Sequence, residues 1–170
     1  QLDCLPIMTH EYHYTWTWNL TSSPEALWPL VSDTNRFNRD TGLPNVQLLG
    51  IQNGVRRVRF NLPVRVEWEE EPFEWLYPYR FGILRRYRTG PLLEMRVDCR
   101  LERLDPSGTR LTYQAWVKPR NIFGIIGIPI VIGMYSRQRF GAAYALYDQI
   151  ASSSDPLPVA AIRKNLTFGG

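Results

Sequence analysis

Residues 14–28 read YTWTWNLTSSPEALW, an alternating stretch that passes directly into the start of a helix. Every second residue of its first half is large and apolar: Tyr14, Trp16, Trp18 and Leu20. This period of two predicts a β-strand with one buried face. Ser23 is a typical helix N-cap, and Pro24 suits the first helical position. Pro29 keeps the helix short or kinks it.

The rest of the chain to residue 117 predicts a second short helix and a series of strands. The helix is expected over residues 34–39, since Gly42 and Pro44 follow it. Alternating apolar and polar residues predict strands at 46–51, 58–68, 81–87, 93–101 and 111–117. Pro63 marks an edge, a bulge or a turn between two strands. Turn residues at 89–91 and 105–108 join the later strands as hairpins, which predicts an antiparallel meander.

Residues 122–135 form a nearly continuous apolar run, which we call the apolar segment. It is too short to span a bilayer as a helix, which takes about 20 residues. Three interpretations are open: a gate, a membrane-touching surface, or the buried start of the last helix, which is the commonest outcome. Pro129 suits the first position of that helix. An aromatic stripe with helical spacing follows: Phe140, Tyr144, Tyr147 and Ile150.

The composition indicates a single globular domain. The 170 residues suffice for one core, and 44% hydrophobic with 13% aromatic residues exclude disorder. Cys4 and Cys99 are too few for a disulfide framework and lack the spacing of a zinc site, which favours a reducing compartment. Because the chain starts at Gln1 and carries no signal or transit peptide, we interpret it as a processed or excised cytoplasmic fragment.

The formal charge of +4 and the pI near 9.3 raise the question of nucleic acid or anionic lipid. The distribution of the charges argues against nucleic acid, because basic and acidic residues lie on neighbouring predicted strands and can pair there. The basic members are Arg56, Arg57, Arg59 and Arg65, and the acidic members are Glu67, Glu69, Glu94, Asp98 and Glu102. We therefore expect no nucleic-acid partner.

Catalytic and metal sites have few candidates. His10 and His13 are the only histidines, and without a third ligand they are more often surface residues than a metal site. They also provide no convincing base for a nucleophilic triad. We expect no metal, no cofactor and no catalytic centre.

The acidic residues around position 70 divide by strand phase. Glu67 and Glu69 fall on the solvated face, whereas Glu70 shares the inward phase of Trp68 and would need a partner. Arg85 is the best partner if its strand points Phe81, Ile83 and Tyr87 inward as well. The alternative phase would leave Arg85 in water.

Aromatic residues at inward positions could line a ligand cavity, with tyrosine hydroxyls as hydrogen-bonding groups. Plain core packing produces the same pattern, and periodicity does not separate the two interpretations. With Arg85, these residues form the candidate ligand-binding set: Trp16, Trp18, Phe60, Trp68, Arg85, Tyr113, Phe140, Tyr144 and Tyr147.

Several segments resemble the START-like or polyketide-cyclase-like (SRPBCC) superfamily. They are residues 23–28 with 33–38, residues 68–70 with 72–75, and residues 108–113. The resemblance implies an α+β helix-grip fold, in which a curved antiparallel sheet wraps a long C-terminal helix and two short helices follow strand one. It divides the chain into an N-terminal extension (1–11), a START-like domain (12–151) and a linker (152–170).

Residues 68–75, 85–87 and 90–91 resemble a narrower group, START-like regions that precede nucleotide cyclase domains in some bacterial proteins. Residues 162–166 look like the entry to such a domain. We therefore expect a binding or sensor module for a hydrophobic molecule, whether lipid, sterol-like, polyketide-like or aromatic, that regulates a downstream catalytic domain. The alternative is an aromatase/cyclase that polarises a carbonyl with Arg85, Tyr113 or Tyr144. A third interpretation is an interaction domain with a collapsed cavity, since fold alone does not decide function.

Overall fold

The computed structural model describes residues 10–44, 46–60 and 65–154. In this described part of the chain, seven strands form one antiparallel sheet in the order β1-β7-β6-β5-β4-β3-β2. The strands are β1 (Tyr12–Leu20), β2 (Val46–Gln52), β3 (Val55–Phe60), β4 (Glu67–Leu76), β5 (Arg80–Tyr87), β6 (Leu92–Arg103) and β7 (Thr109–Pro119). The helices are α1 (Pro24–Val31), α2 (Thr34–Asp40), α3 (Ile122–Ile128) and α4 (Ser136–Ser154), with a π-helical segment (Pro129–Met134) before α4. The predicted α+β helix-grip architecture is confirmed.

The two short helices begin where their sequences place a cap. The Ser23 side chain accepts a hydrogen bond from the Ala26 amide at 3.3 Å, with Pro24 at the first helical position of α1. In α2 the Asp33 side chain accepts from the Arg36 amide at 3.0 Å. The start of α1 and its shortness were predicted, and the bounds of α2 were predicted to within one residue.

The core lies between the sheet and α4. The predicted stripe of α4 faces this core, and Tyr144 and Tyr147 are fully buried in it. Phe37 of α2 completes an aromatic layer, with its ring centroid 4.9 Å from that of Phe140 and 5.4 Å from that of Tyr144. Aromatic burial of this kind supplies a large share of a core's stability.

Asp148 fixes α4 to the end of β1. Its two carboxylate oxygens accept hydrogen bonds from the backbone amides of Thr21 and Ser22, each at 2.8 Å.

The turn between β6 and β7 also packs at the end of β1. Gly108 in this turn has φ +103°, and a Cβ there would lie 2.6 Å from the carbonyl oxygen of Leu20. Only glycine suits both the left-handed backbone and this close approach, which brings the β6–β7 turn against the end of β1.

The apolar segment differs from its prediction. The long helix begins at Ser136 rather than at Pro129, and the segment forms α3 and the π-helical turns instead. Its side chains are mostly exposed, so the interpretation as a buried helix start is wrong. The reason is local: α3 rests on the sheet through Gly124, where a Cβ would lie 2.3 Å from the Pro91 carbonyl oxygen. This contact uses one face of α3 and leaves the others outside.

Two other predictions concern Pro63 and the C-terminal end of the domain. The position of Pro63 lies outside the described residues, so its role stays a prediction. Helix α4 continues through Ser154, into the stretch that was predicted as linker. Within the described part of the chain, no helix combines the length and apolarity that crossing a membrane requires.

Candidate functional site

A cavity of about 230 Å³ lies between the sheet, α2 and the start of α4. We call it the central cavity. Strands β1, β3, β5, β6 and β7 provide its sheet wall, and Phe37 and Asn38 of α2 cover one side. Val131 and Ile132 of the π-helical segment and Phe140 of α4 complete the lining. Each element thus contributes to one enclosed space.

Three ring contacts build its apolar wall. The Trp16 ring centroid lies 5.7 Å from that of Phe140, in an edge-on arrangement, and 6.2 Å from that of Tyr113. Phe37 stacks on Tyr113 with centroids 5.9 Å apart. Because these rings come from β1, β7, α2 and α4, the wall is held by four different elements and can keep its shape without a ligand.

Polar side chains also line the central cavity. Asn38 and Ser136 are 5% and 8% exposed, and within the described residues neither side chain has a hydrogen bond. The Tyr113 hydroxyl has none there either, and burial raises the pKa of this phenol. The polar atoms of these three residues are therefore free to bind a polar group of a ligand in the cavity.

Arg139 adds a positive charge at the edge of the same lining. Its side chain is exposed, and no carboxylate in the described part of the chain lies within ion-pair distance of it. A guanidinium offers only hydrogen-bond donors. The polar part of the cavity therefore favours a ligand group that accepts hydrogen bonds and carries negative charge.

Arg85 belongs to the wall of the central cavity and forms a buried ion pair with Glu70, which lies outside the lining. Glu70 and Arg85 are directly opposed on β4 and β5, and Arg85 Nε donates to Glu70 Oε2 at 3.0 Å. The indole of Trp68 donates to the same oxygen at 3.3 Å, and Arg56 lies 3.5 Å from the other oxygen. Burial acts to lower the pKa of Arg85, but the Glu70 carboxylate outweighs it and raises that pKa. The predicted Glu70–Arg85 pairing is confirmed.

The predicted ligand-binding set divides into two parts. Five of its members line the central cavity: Trp16, Phe60, Arg85, Tyr113 and Phe140. Tyr144 lines only a small adjoining space of about 10 Å³.

The other three members pack elsewhere. Trp18 packs on Tyr144, with ring centroids 5.0 Å apart. The Trp68 ring is covered by the Phe60 ring, with centroids 4.6 Å apart. Tyr147 donates a hydrogen bond to Asp40 at 3.0 Å. All three are on inward-facing positions, as predicted, but neighbouring side chains fill the space in front of them.

Other lining residues were not predicted. Helix α2 reads TNRFNRD, so its sequence shows one apolar residue and gives no reason to place Asn38 in a cavity. Val131 and Ile132 were missed because the sequence left the position of the apolar segment open and gave no reason to place it against the cavity. Ala115 of β7 lines the cavity, as its small size on an inward position suggests, whereas Ala143 of α4 is buried in packing away from it.

One prediction for the outer face of β4 is wrong. Glu67 was expected in solvent, yet it is only 8% exposed. Arg57 and Arg65 both lie 3.3 Å from its carboxylate and cover it. Glu69 is partly exposed and pairs with Arg88, as expected for a solvated sheet face. Within residues 10–44, 46–60 and 65–154, no group of three metal-ligating side chains comes together.

Comparisons with known proteins support the fold but assign no family by sequence. No family model and no curated protein matches the chain. A conserved protein from Geobacillus kaustophilus is 14% identical over 84% of this chain and 97% of its own, with a TM-score of 0.62. The Zhui aromatase/cyclase from a Streptomyces species is 14% identical over 84% and 94%, with a TM-score of 0.60.

A START superfamily protein from Mycobacterium smegmatis is 12% identical over 81% of this chain and 97% of its own, with a TM-score of 0.60. At these identities the likeness concerns the fold alone. The chain therefore has the fold of START-like and aromatase/cyclase-type proteins, which confirms the fold that the resemblance implied. The narrower resemblance to regions that precede nucleotide cyclases stays a prediction.

Proposed function

We propose that this chain is a binding domain for one small amphipathic molecule, held in the central cavity without chemical conversion. The observation that carries the proposal is the combination of an aromatic wall with the polar side chains of Asn38 and Ser136, which have no hydrogen bond within the described residues. Ligand sites typically join an apolar lining to a few placed polar groups.

The lining also supports a chemical class for the ligand. Ser136 and Asn38 can donate hydrogen bonds, and Arg139 adds a cation, so an acceptor-rich anion such as a carboxylate fits best. The apolar remainder would contact Trp16 and Phe140. At about 230 Å³ the cavity is smaller than the roughly 300–1,000 Å³ of sites for drug-sized ligands. Medium-chain fatty acids and small aromatic acids therefore fit better than sterols.

Decanoate titration followed by tryptophan emission tests the proposal, because Trp16 forms part of the wall. Binding is expected in the micromolar range, equivalent to about −8 kcal/mol. Ala115→Phe should abolish binding by filling the cavity, although its own overpacking can cost roughly 1–3 kcal/mol of stability. Ala145→Phe is the matched control, since Ala145 is exposed on α4.

A second variant tests the polar end. Arg139→Gln should weaken decanoate binding without weakening decanol binding, and Arg139 is exposed, so the fold should not change. If neither decanoate nor an apolar fluorophore binds the parent chain, and Ala115→Phe only lowers the melting temperature, the aromatic set is ordinary core. The chain would then be an interaction domain with a collapsed cavity.

An aromatase/cyclase activity is the second candidate, because Arg85 and Tyr113 lie on one cavity wall. The raised pKa of Tyr113 keeps its phenol protonated, so it could donate a hydrogen bond to a substrate carbonyl. Tyr113→Phe would then retain binding of a polyketone but lose its turnover. The mainly apolar lining and the neutralisation of Arg85 by Glu70 favour simple binding.

The regulatory role that the resemblance implies forms the last part of the proposal. A binding domain placed ahead of a nucleotide cyclase in the cytoplasm would report the concentration of its ligand by changing the activity of that cyclase. The check is the cyclase activity of the full-length protein with and without decanoate. Unchanged activity at saturating ligand would remove the regulatory role and leave the binding function intact.

A further inference from the structure

The apolar segment presents an exposed hydrophobic surface beside the central cavity. Phe123 in α3 is 75% exposed, and Met134 in the π-helical segment is 70% exposed. The other exposed apolar members are Ile122, Ile125, Ile126, Ile130, Val131 and Tyr135. Single exposed apolar residues are normal on a protein, but a contiguous group of this kind marks an interaction surface.

Basic residues flank this surface in the sequence, and the same stretch contains no acidic residue. The sequence contains no Asp or Glu between Asp105 and Asp148. Arg137 and Arg139 follow the segment directly and have no ion pair with any described residue. Arg120 precedes it and donates to the backbone carbonyls of Leu92 and Tyr87, so its charge is not neutralised by a carboxylate.

The charges decide between two kinds of partner. A second copy of this chain in a two-fold dimer would bring the same patch against itself, so that Arg137 and Arg139 would face like charges. A membrane surface with anionic lipids instead offers negative headgroups to the arginines and a hydrocarbon boundary to the apolar side chains. Helices that lie in the interface have this combination of an apolar face and a basic border.

We propose that residues 122–139 dock on anionic membranes, with the apolar segment inserted at the headgroup boundary and Arg137 and Arg139 on lipid phosphates. Val131 is exposed on this surface and also lines the central cavity. The cavity therefore adjoins the docked face, and an amphipathic ligand can pass between bilayer and cavity over a short path. The docking surface itself rests on the exposed segment and does not depend on the cavity being filled.

Vesicle sedimentation tests the proposal. The chain is expected to bind vesicles of phosphatidylcholine with phosphatidylglycerol, but not vesicles of phosphatidylcholine alone, and 1 M salt should weaken binding by screening. Arg137→Glu should weaken binding about tenfold or more, since each charge contributes on the order of a factor of five. Arg110→Glu is the control: Arg110 is also exposed, at the other end of β7.

The apolar contribution has its own pair of variants. Phe123→Asp should abolish binding, whereas Ile51→Asp should leave it unchanged, because Ile51 is 65% exposed on the opposite edge strand β2. Both side chains are largely in solvent, so neither change should alter the melting temperature. The cavity variant Ala115→Phe should bind vesicles like the parent chain.

Three results would overturn the proposal. The first is no binding to vesicles of either composition. The second is equal loss of binding in Phe123→Asp and Ile51→Asp, which would show that adhesion is non-specific. The third is a dimer, measured by sedimentation equilibrium, that Phe123→Asp dissociates, because the surface would then be a self-association interface. If the parent chain binds anionic vesicles but does not bind decanoate, the result contradicts only the proposed function.

Discussion

Replacing Glu70 by alanine is expected to lower the free energy of unfolding by about 3–5 kcal/mol, because it leaves Arg85 buried without its counter-charge. The side chains of Arg85 and Glu70 are only 11% and 9% exposed. Little water therefore reaches the two charges. Glu70→Ala would also remove the acceptor of the Trp68 indole, a group that is 1% exposed.

A neighbouring pair provides the matched control. Glu71 and Arg86 lie one residue further along the same two strands, 3.1 Å apart, with side chains 48% and 54% exposed. An ion pair in that environment contributes about 0.2–1 kcal/mol, because water solvates both charges when the pair is broken. Glu71→Ala removes the same chemical group from the same strand, so the difference between the two variants measures what burial adds, together with the Trp68 and Arg56 contacts that only Glu70 makes.

Urea unfolding and thermal melting measure both variants. For a chain of this size, roughly 2–4 °C in melting temperature correspond to each kcal/mol, so Glu70→Ala should lower it by roughly 6–20 °C. The double variant Glu70→Leu with Arg85→Met should recover much of the loss, since the remaining unpaired charge, Arg56, is partly exposed and can be solvated. If Glu70→Ala costs no more than Glu71→Ala, burial does not strengthen the contribution of this ion pair to stability.

Three more outcomes are expected. Burial acts to raise the pKa of Asp148, but its hydrogen bonds from Thr21 and Ser22 lower it overall; stability should therefore fall as the pH drops below the unfolded value of about 3.9, and urea titrations should show a weaker fall in Asp148→Asn. Gly124→Ala should cost roughly 1–3 kcal/mol by clashing with the Pro91 carbonyl, whereas a Cβ at Gly127 meets nothing within 4 Å, and Gly127→Ala should stabilise α3 by up to about 1 kcal/mol in the same melts. Addition of EDTA should leave the melting temperature unchanged, and a large drop would reveal a metal site.

The strand phases could be predicted from the sequence because each one repeats over several residues. The parity of Trp68 predicted an inward Glu70, and Phe81, Ile83 and Tyr87 gave one of two possible phases for Arg85. The ion pair follows from that phase, and the structure selects it over the solvated alternative. Glu67 failed the same reasoning because alternation gives only the face of a strand, and long arginine side chains can bury a carboxylate on an outer face.

The members of the cavity could be predicted only in part, because inward orientation does not say what stands in front of a side chain. Trp68 and Tyr147 point inward, but Phe60 covers the first and Asp40 binds the second. Asn38 reaches the cavity from a helix with no apolar stripe, so no periodicity marked it. Contacts between elements distant in sequence decided these cases.

The sequence left three interpretations of the apolar segment open, and the commonest one, the buried start of the last helix, is wrong for a different reason. Hydrophobic composition predicts burial because exposed apolar area is costly, yet it cannot distinguish burial in the protein from burial in a partner. Residues 122–135 contain three glycines and one proline, so their helical turns present no continuous stripe to the sheet. Only the contact at Gly124 showed which face is covered.

The two cavity arginines lead to an expected orientation of the ligand. Arg85 is neutralised by Glu70, so it offers little attraction to a second anion deep in the cavity. Arg139 has no such partner among the described residues and stands where the lining meets the exposed start of α4. A carboxylate would therefore remain at the mouth, while its apolar chain extends toward Trp16. On a docked chain, this orientation would place the charged end among the lipid headgroups, so that it need not cross hydrocarbon to enter the cavity.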